Sequence, residues 1–271
     1  MRMLDLKLPF AVSTFGSPDA PPLVVLPGGP CRDPEYLEAL AGIGESAHVI
    51  VLHPRGTTRS GGRSRGWWTD ADDVVALLDA LHVPSASVLA HSAGTRLALS
   101  TATRYPGRIA SLALITPPAT WLTGSPSDAA TIGAARTEPE VVSALAALGE
   151  DTATTDAGFV EQFQRQAPAS YAKWTERERD HARIGRVSLA AASAWFDDIP
   201  GDAAERIRSA SLPPTTVIAG DADLLTGVQP VAVYAAAIGA ELVWLAACGH
   251  YPWVEQPAAF RDAVTTWLRR D

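Results

Sequence analysis

Six short runs of apolar residues punctuate the chain, each bounded by turn residues. They are Leu23-Val24-Val25-Leu26, Val49-Ile50-Val51-Leu52, Ser87-Val88-Leu89-Ala90, Leu112-Ala113-Leu114-Ile115, Thr216-Val217-Ile218-Ala219 and Leu242-Val243-Trp244-Leu245. Continuous apolarity, rather than alternation, marks strands buried on both faces, as in a parallel sheet covered by helices. Helical periods lie between several of them. One starts at Thr69, with Asp70, Asp72 and Asp73 at its positive end and Val74, Leu77, Leu78 and Leu81 along one face. Another starts at Pro257, where Phe260, Val264, Trp267 and Leu268 form a core stripe and Arg269-Arg270 sit at the negative end. Leu4, Leu6 and Leu8 alternate with polar residues and predict an edge strand or hairpin. The alternation of strand and helix predicts an α/β class.

The rhythm breaks between about Pro117 and Leu212, where no strand run occurs and Ala-rich helical segments such as Val141 to Leu148 and Phe159 to Gln166 take over. Thr123-Gly124-Ser125-Pro126-Ser127 marks the entry and Ser211-Leu212-Pro213-Pro214 the exit. A connection this long needs a structural reason. Residues 118–212 are therefore expected to form a helical cap, or lid, over a core built from 1–117 and 213–271.

Composition narrows the function classes. The 271 residues are 47% apolar and 19% charged, which suits one sizeable globular core. The formal net charge of −8 argues against nucleic acid or an anionic membrane as partner. Residues 118–212 hold 14 acidic and 9 basic residues, so most of that charge belongs to the expected cap. No run of about 18 apolar residues predicts a membrane span. The start, Met1-Arg2-Met3-Leu4-Asp5, has neither the apolar run nor the cleavage site of a secretory signal, so a cytoplasmic location is expected. Two cysteines, Cys31 and Cys248, cannot build a disulfide framework and are expected to be small buried thiols.

The sharpest chemical feature is Val88-Leu89-Ala90-His91-Ser92-Ala93-Gly94-Thr95, an apolar strand running through His-Ser-Ala-Gly into a helical run. A serine at such a turn is held in a strained backbone with its hydroxyl at the carboxyl end of the sheet. Small residues on either side, here Ala90 and Gly94, let the turn close. Serine needs a base. Among His48, His53, His82, His91, His181 and His250, the last stands after the final apolar run, in a loop at the same sheet end as Ser92. His53 ends a strand and is the second candidate; His91 is read as packing or polar support. The imidazole in turn needs a buried carboxylate. Asp223, in Gly220-Asp221-Ala222-Asp223, lies farther into its loop and is preferred to Asp221. Main-chain N–H groups of Gly29, in Pro27-Gly28-Gly29-Pro30, and of Ala93 are the expected oxyanion donors. No His/Cys cluster has metal-ligand spacing, and no metal or organic cofactor is expected.

These segments together resemble the α/β-hydrolase superfamily, and within it the proline iminopeptidase-like branch. That branch carries His-Gly-Gly-Pro-Gly where this chain has Pro27-Gly28-Gly29-Pro30-Cys31, and Asp-x-Arg-Gly-x-Gly-x-Ser where it has His53-Pro54-Arg55-Gly56-Thr57-Thr58-Arg59-Ser60. Trp67-Trp68-Thr69-Asp70, Gly220-x-x-Asp223 and Gly249-His250-x-Pro252 complete the likeness. It spans about residues 20–117 and 213–268. It implies an α/β-hydrolase fold, with a mostly parallel eight-stranded sheet flanked by helices and a helical cap. It also implies a serine hydrolase acting on a small-molecule ester, thioester, lactone or amide. Pro27, Cys31, His53 and Thr58 depart from the branch pattern without removing a member of the expected triad. The branch holds a free amino terminus on acidic cap residues, for which Glu176, Glu178 and Asp180 are candidates, although a solvated charged helix face explains them too. Trp121, Trp174, Trp195 and Phe196 are candidates for an apolar acyl pocket or for the cap's own core. A proline iminopeptidase-type aminopeptidase, a ligand-binding receptor and a cofactor-free lyase or cyclase remain alternatives.

Overall fold

The computed structural model describes residues 1–270, and Asp271 at the end of the expected core lies outside them. Among the described residues eight strands form one sheet in the order β1-β2-β4-β3-β5-β6-β7-β8. The strands are β1 (Arg2–Leu4), β2 (Val12–Phe15), β3 (Pro22–Leu26), β4 (His48–Leu52), β5 (Ala86–His91), β6 (Ile109–Ile115), β7 (Thr215–Gly220) and β8 (Glu241–Leu245). The pairs β1/β2 and β2/β4 are antiparallel and all the others parallel. All six apolar runs are strands. At the opening, Leu4 ends β1 while Leu6 and Leu8 lie in the connection to β2, half-buried against the core.

The runs are continuously apolar because successive residues supply two different cores. Val24, Leu26, Val88, Ala90, Leu112 and Leu114 point to one face, where they meet α1 (Ala71–Ala80) and α2 (Gly94–Arg104). Leu23, Val25, Val49, Leu89, Ala113 and Ile115 point to the other. This period of two is that of any strand; only the cover on both sides makes both sets apolar.

Between β6 and β7 lie α3 (Thr120–Thr123), α4 (Ala129–Gly133), α5 (Pro139–Ala147), α6 (Asp156–Gln166), α7 (Glu176–Ala182), α8 (Leu189–Ala194) and α9 (Ala203–Ser209). The ends of this segment belong to the flanking layer, since Leu122 of α3 and Ile207 of α9 are buried in the first core. Its middle has a small core of its own, Val141, Ala144 and Ala169 with Leu224. After β7 come α10 (Gln229–Ala237), which closes the first face, then α11 (Pro252–Glu255) and α12 (Pro257–Leu268). Phe260, Val264 and Trp267 of α12 are the stripe expected from the sequence and fill the second face. No described helix is long and apolar enough to cross a membrane.

Register sets the position of the loops. Leu26 pairs with Ala90, His91 with Ile115, Ile115 with Ile218 and Gly220 with Leu245. The carboxyl ends of β3, β5, β7 and β8 are thus level, and the segments that follow them meet along one edge of the sheet. Phe260, with no exposed surface, anchors α12 in the second core. Phe260→Ala is expected to cost about 3–5 kcal/mol, measured by denaturant unfolding; a loss below about 1 kcal/mol would show that the second core does not depend on it.

Candidate active site

Ser92 follows the last residue of β5 and has a φ of +49°. An L-residue in this left-handed region is strained by roughly 1–2 kcal/mol, and the surroundings hold it there. Its N–H donates to the Ile115 carbonyl at 2.9 Å, while the Thr95 N–H and hydroxyl donate to its carbonyl at 2.9 and 2.6 Å. Two glycines let the turn sit this close to β3. A Cβ on Gly94 would meet the Leu26 and Pro27 carbonyl oxygens at 2.5 Å, and one on Gly28 would meet Ser92 Cβ at 2.7 Å. The Gly-Gly-Pro loop therefore lies directly against Ser92.

His250 comes from the loop after β8 and Asp223 from the loop after β7; both are buried. His250 Nδ1 lies 2.8 Å from Asp223 Oδ2. That carboxylate also accepts from the Leu225 N–H at 2.8 Å, the Thr226 N–H at 3.3 Å and the Thr226 hydroxyl. A carboxylate oxygen accepts, so Nδ1 carries a proton, and in the neutral ring the lone pair is on Nε2. The His250 backbone is fixed at both ends. Its N–H donates to the Ser170 carbonyl at 2.7 Å, and its carbonyl accepts from Thr116 Oγ1 at 3.1 Å and from His91 Nε2 at 3.0 Å.

His91 joins this loop to the Gly-Gly-Pro loop. The Gly28 N–H donates to the Tyr36 hydroxyl at 2.6 Å, and that hydroxyl lies 2.9 Å from His91 Nδ1. Since the carbonyl of His250 can only accept, His91 Nε2 carries the proton, and its Nδ1 accepts from Tyr36. Burial holds the His91 imidazole well below its usual pKa, and the neighbouring His250 lowers it further, so the ring stays neutral. The Gly28 amide is thus engaged within the loop, and Gly29 is the residue of the loop that lines the cavity with Pro30.

The cavity has a volume of about 190 Å³ and is lined by Gly29, Ser92 and His250 together with Tyr36, Tyr171 and Tyr251. The helical segment contributes Phe163 and Gln166 from α6 and the turn at Ala167 and Ser170. The four pocket residues expected from the sequence lie elsewhere. Trp121 packs edge-on against Trp67 at 5.4 Å in the first core, and Trp195 is buried there with its carbonyl accepting from the Trp67 N–H. Trp174 stands behind Tyr171 at 5.5 Å. Glu176 is exposed, Glu178 closes the capping box of α7 with Thr175, and Asp180 pairs with Arg183 on the surface. The charged stretch is thus a solvated helix face and a cap. Phe196 is exposed. His53 bonds Ser13 at 2.8 Å, away from this cavity, and Asp221 is exposed.

Several lining residues carried no sequence signal. Arg32, Tyr36, Phe163 and Tyr171 stand in no motif; Tyr251 adjoins His250, the one hint available. Glu255 carries no sequence signal either. It accepts from the Ala172 N–H at 2.6 Å and the Gly249 N–H at 2.9 Å, tying the His250 loop to the helical segment. Burial, with the nearby Asp223 charge, pushes its carboxyl up to about 7. Burial likewise pushes the Cys31 thiol up to about 12 and raises that of Cys248, leaving both as inert packing groups.

The sequence profile of a family described as alpha/beta hydrolase fold matches residues 21–257. No curated protein matches the chain at a significant level. Among solved structures, naproxen esterase (carboxylesterase NP) from Bacillus subtilis is 18% identical with a TM-score of 0.69, covering 98% of this chain and 91% of that one. A thermophilic esterase from Thermogutta terrifontis is 19% identical with a TM-score of 0.67, over 96% and 93% of the two chains. An N-acyl homoserine lactone degrading enzyme is 22% identical with a TM-score of 0.60, over 95% and 97%. At these identities the likeness is one of fold.

Glu255 gives a stability signature of this loop arrangement. Its pKa of about 7 exceeds the 4.5 of a free carboxyl, so between these values the folded state binds more protons than the unfolded one. Stability should then fall as pH rises from about 4.5 to about 7 and level off above. At about 1.4 kcal/mol per pH unit, the whole slope amounts to roughly 3 kcal/mol at most. Glu255→Gln should flatten this part of the curve in denaturant unfolding across pH. Parallel curves for the two proteins would contradict the assignment.

Proposed function

Because the chain belongs to the α/β-hydrolase fold family, we propose that it is a serine hydrolase of small-molecule esters or lactones, working through Ser92, His250 and Asp223. The observation that carries this reading is a serine on a strained strand-to-helix turn, sharing one cavity with a histidine whose Nδ1 is tied to a buried carboxylate. Ser92 Oγ attacks the carbonyl carbon as His250 Nε2 takes its proton. Asp223 keeps Nδ1 protonated and stabilises the imidazolium that forms. The oxyanion is held by the amides of Gly29 and Ala93. The imidazolium then protonates the departing alcohol, and water, deprotonated by the same nitrogen, releases the acid from the acyl-serine. Residues 118–212 act as the cap, with α6 and the turn at 167–171 over the reacting carbon.

An ester or lactone fits this cavity better than a peptide's amino terminus. An aminopeptidase needs a carboxylate to hold the substrate ammonium group, and neither Asp nor Glu is among the lining residues. The modest volume favours short acyl chains.

The test is a panel of short p-nitrophenyl esters, a lactone and proline p-nitroanilide. Esters or the lactone should be turned over with far higher kcat/KM than the anilide. Ser92→Ala should lose on the order of 10⁴-fold or more in kcat, and Asp223→Asn a comparable amount, with unchanged unfolding curves for the former. Retention of ester turnover by Ser92→Ala would remove the nucleophile assignment, and a clear preference for the prolyl anilide would favour the peptidase.

A further inference from the structure

The cavity that holds Ser92 also holds a buried cation. Arg32 is 1% exposed and belongs to the lining. Its side chain lies beside Gly29, where an added Cβ would meet Arg32 Cβ at 2.8 Å. The guanidinium sits over the Tyr36 ring at 4.5 Å and faces the Phe163 ring at 5.2 Å. All its hydrogen-bond partners are neutral. Nε donates to the Ile184 carbonyl at 3.0 Å, and Nη2 to the carbonyls of Ile184, Ala182 and His181. Nη1 makes one contact, to the Tyr251 hydroxyl at 2.9 Å. No carboxylate pairs with Arg32 among the described residues.

Two donors are left over. A guanidinium has two hydrogens on each terminal nitrogen, so one N–H of Nη1 has no acceptor among the described residues. The Tyr251 hydroxyl accepts from Arg32, and its own proton has no described acceptor either. Arg32 and Tyr251 are both lining residues of the cavity. The carbonyls at the end of α7 supply only a fractional negative charge, whereas a buried cation is best matched by a full one. A guanidinium and a hydroxyl side by side match the two oxygens of a carboxylate.

Resting on the ester-hydrolase reading above, we propose that Arg32 and Tyr251 form a carboxylate-binding end of the cavity. The preferred substrate is then a short ester whose acyl chain ends in a second, anionic carboxylate, the half-ester of a small dicarboxylic acid. The acyl side follows from the place of Arg32 beside Gly29, whose amide takes the acyl oxygen. The apolar lining residues Phe163 and Leu225 suit the intervening methylenes.

The experiment compares ethyl hydrogen glutarate with ethyl valerate, which has a methyl group where the former has its carboxylate. The readout is the ratio of kcat/KM values by ethanol release, so that a general loss of activity cancels. The wild-type protein is expected to favour the half-ester at least tenfold, about 1.4 kcal/mol, and free glutarate should inhibit ester turnover more strongly than valerate. Tyr251→Phe and Arg32→Met should each bring the ratio towards one. If Arg32→Met fails to fold, the wild-type ratio and Tyr251→Phe decide. Hydrolysis of both esters with a ratio at or below one overturns the carboxylate site and leaves the ester-hydrolase reading intact. A high wild-type ratio that Tyr251→Phe and a folded Arg32→Met leave unchanged overturns the assignment to these residues. Failure to hydrolyse these esters, together with failure on the neutral ester and lactone panel, removes the ester-hydrolase reading and this inference with it.

Discussion

From the Gly28 amide a buried chain of hydrogen bonds runs through the Tyr36 hydroxyl and the His91 ring to the His250 carbonyl, and the cavity takes its shape from it. It joins the loop after β3 to the loop after β8 across the residue that precedes Ser92. Each link contributes about 1 kcal/mol net, but an orphaned buried group costs more than a link contributes, so the chain holds together as a unit. Its direction is fixed by the carbonyl at one end and the amide at the other. A protonated His91 would have a second donor facing Tyr36 and a charge next to His250; burial keeps the ring neutral and removes both conflicts.

Charge is partitioned between the surface and the cavity. The acidic surplus of the helical segment faces outward, where Arg165 pairs with Glu150, Arg179 with Glu140 and Arg206 with Asp202. Such exposed pairs contribute little stability. Inside, Asp223 is surrounded by donors, and Arg32 by carbonyl oxygens and aromatic rings. Arg32 also ties the loop after β3 to the end of α7 and to Tyr251, so one side chain links three segments around the cavity.

The strands were legible because burial on both sheet faces leaves an unbroken apolar run, a local signal that Leu23–Leu26 and Leu112–Ile115 carry in full. The strand-to-helix turn at Ser92 was legible because its signal is local too: the small residues and the serine follow one another, as do Gly249 and His250. The cavity walls were not. Trp121 and Trp195 are large and aromatic, and nothing in their neighbourhood distinguishes a pocket wall from a core. Trp121 packs on the Trp67 ring and Trp195 accepts from the Trp67 N–H, a partner more than fifty residues from the nearer of them that spacing along the chain cannot reveal. Arg32 stands in no motif, and nothing beside it in the chain points to the Ile184 carbonyl, 152 residues on, that it meets. Long-range contacts decided each of these positions.

A serine hydrolase of this kind passes through a covalent acyl intermediate on Ser92, and mass spectrometry of the rapidly quenched protein tests for it most directly. Mixed with a short p-nitrophenyl ester and quenched in acid within milliseconds, the wild-type protein should gain the mass of one acyl group. Fragmentation should place it on Ser92, and Asp223→Asn should show it forming more slowly. Turnover with no acyl adduct, or an adduct on another residue, would contradict the mechanism.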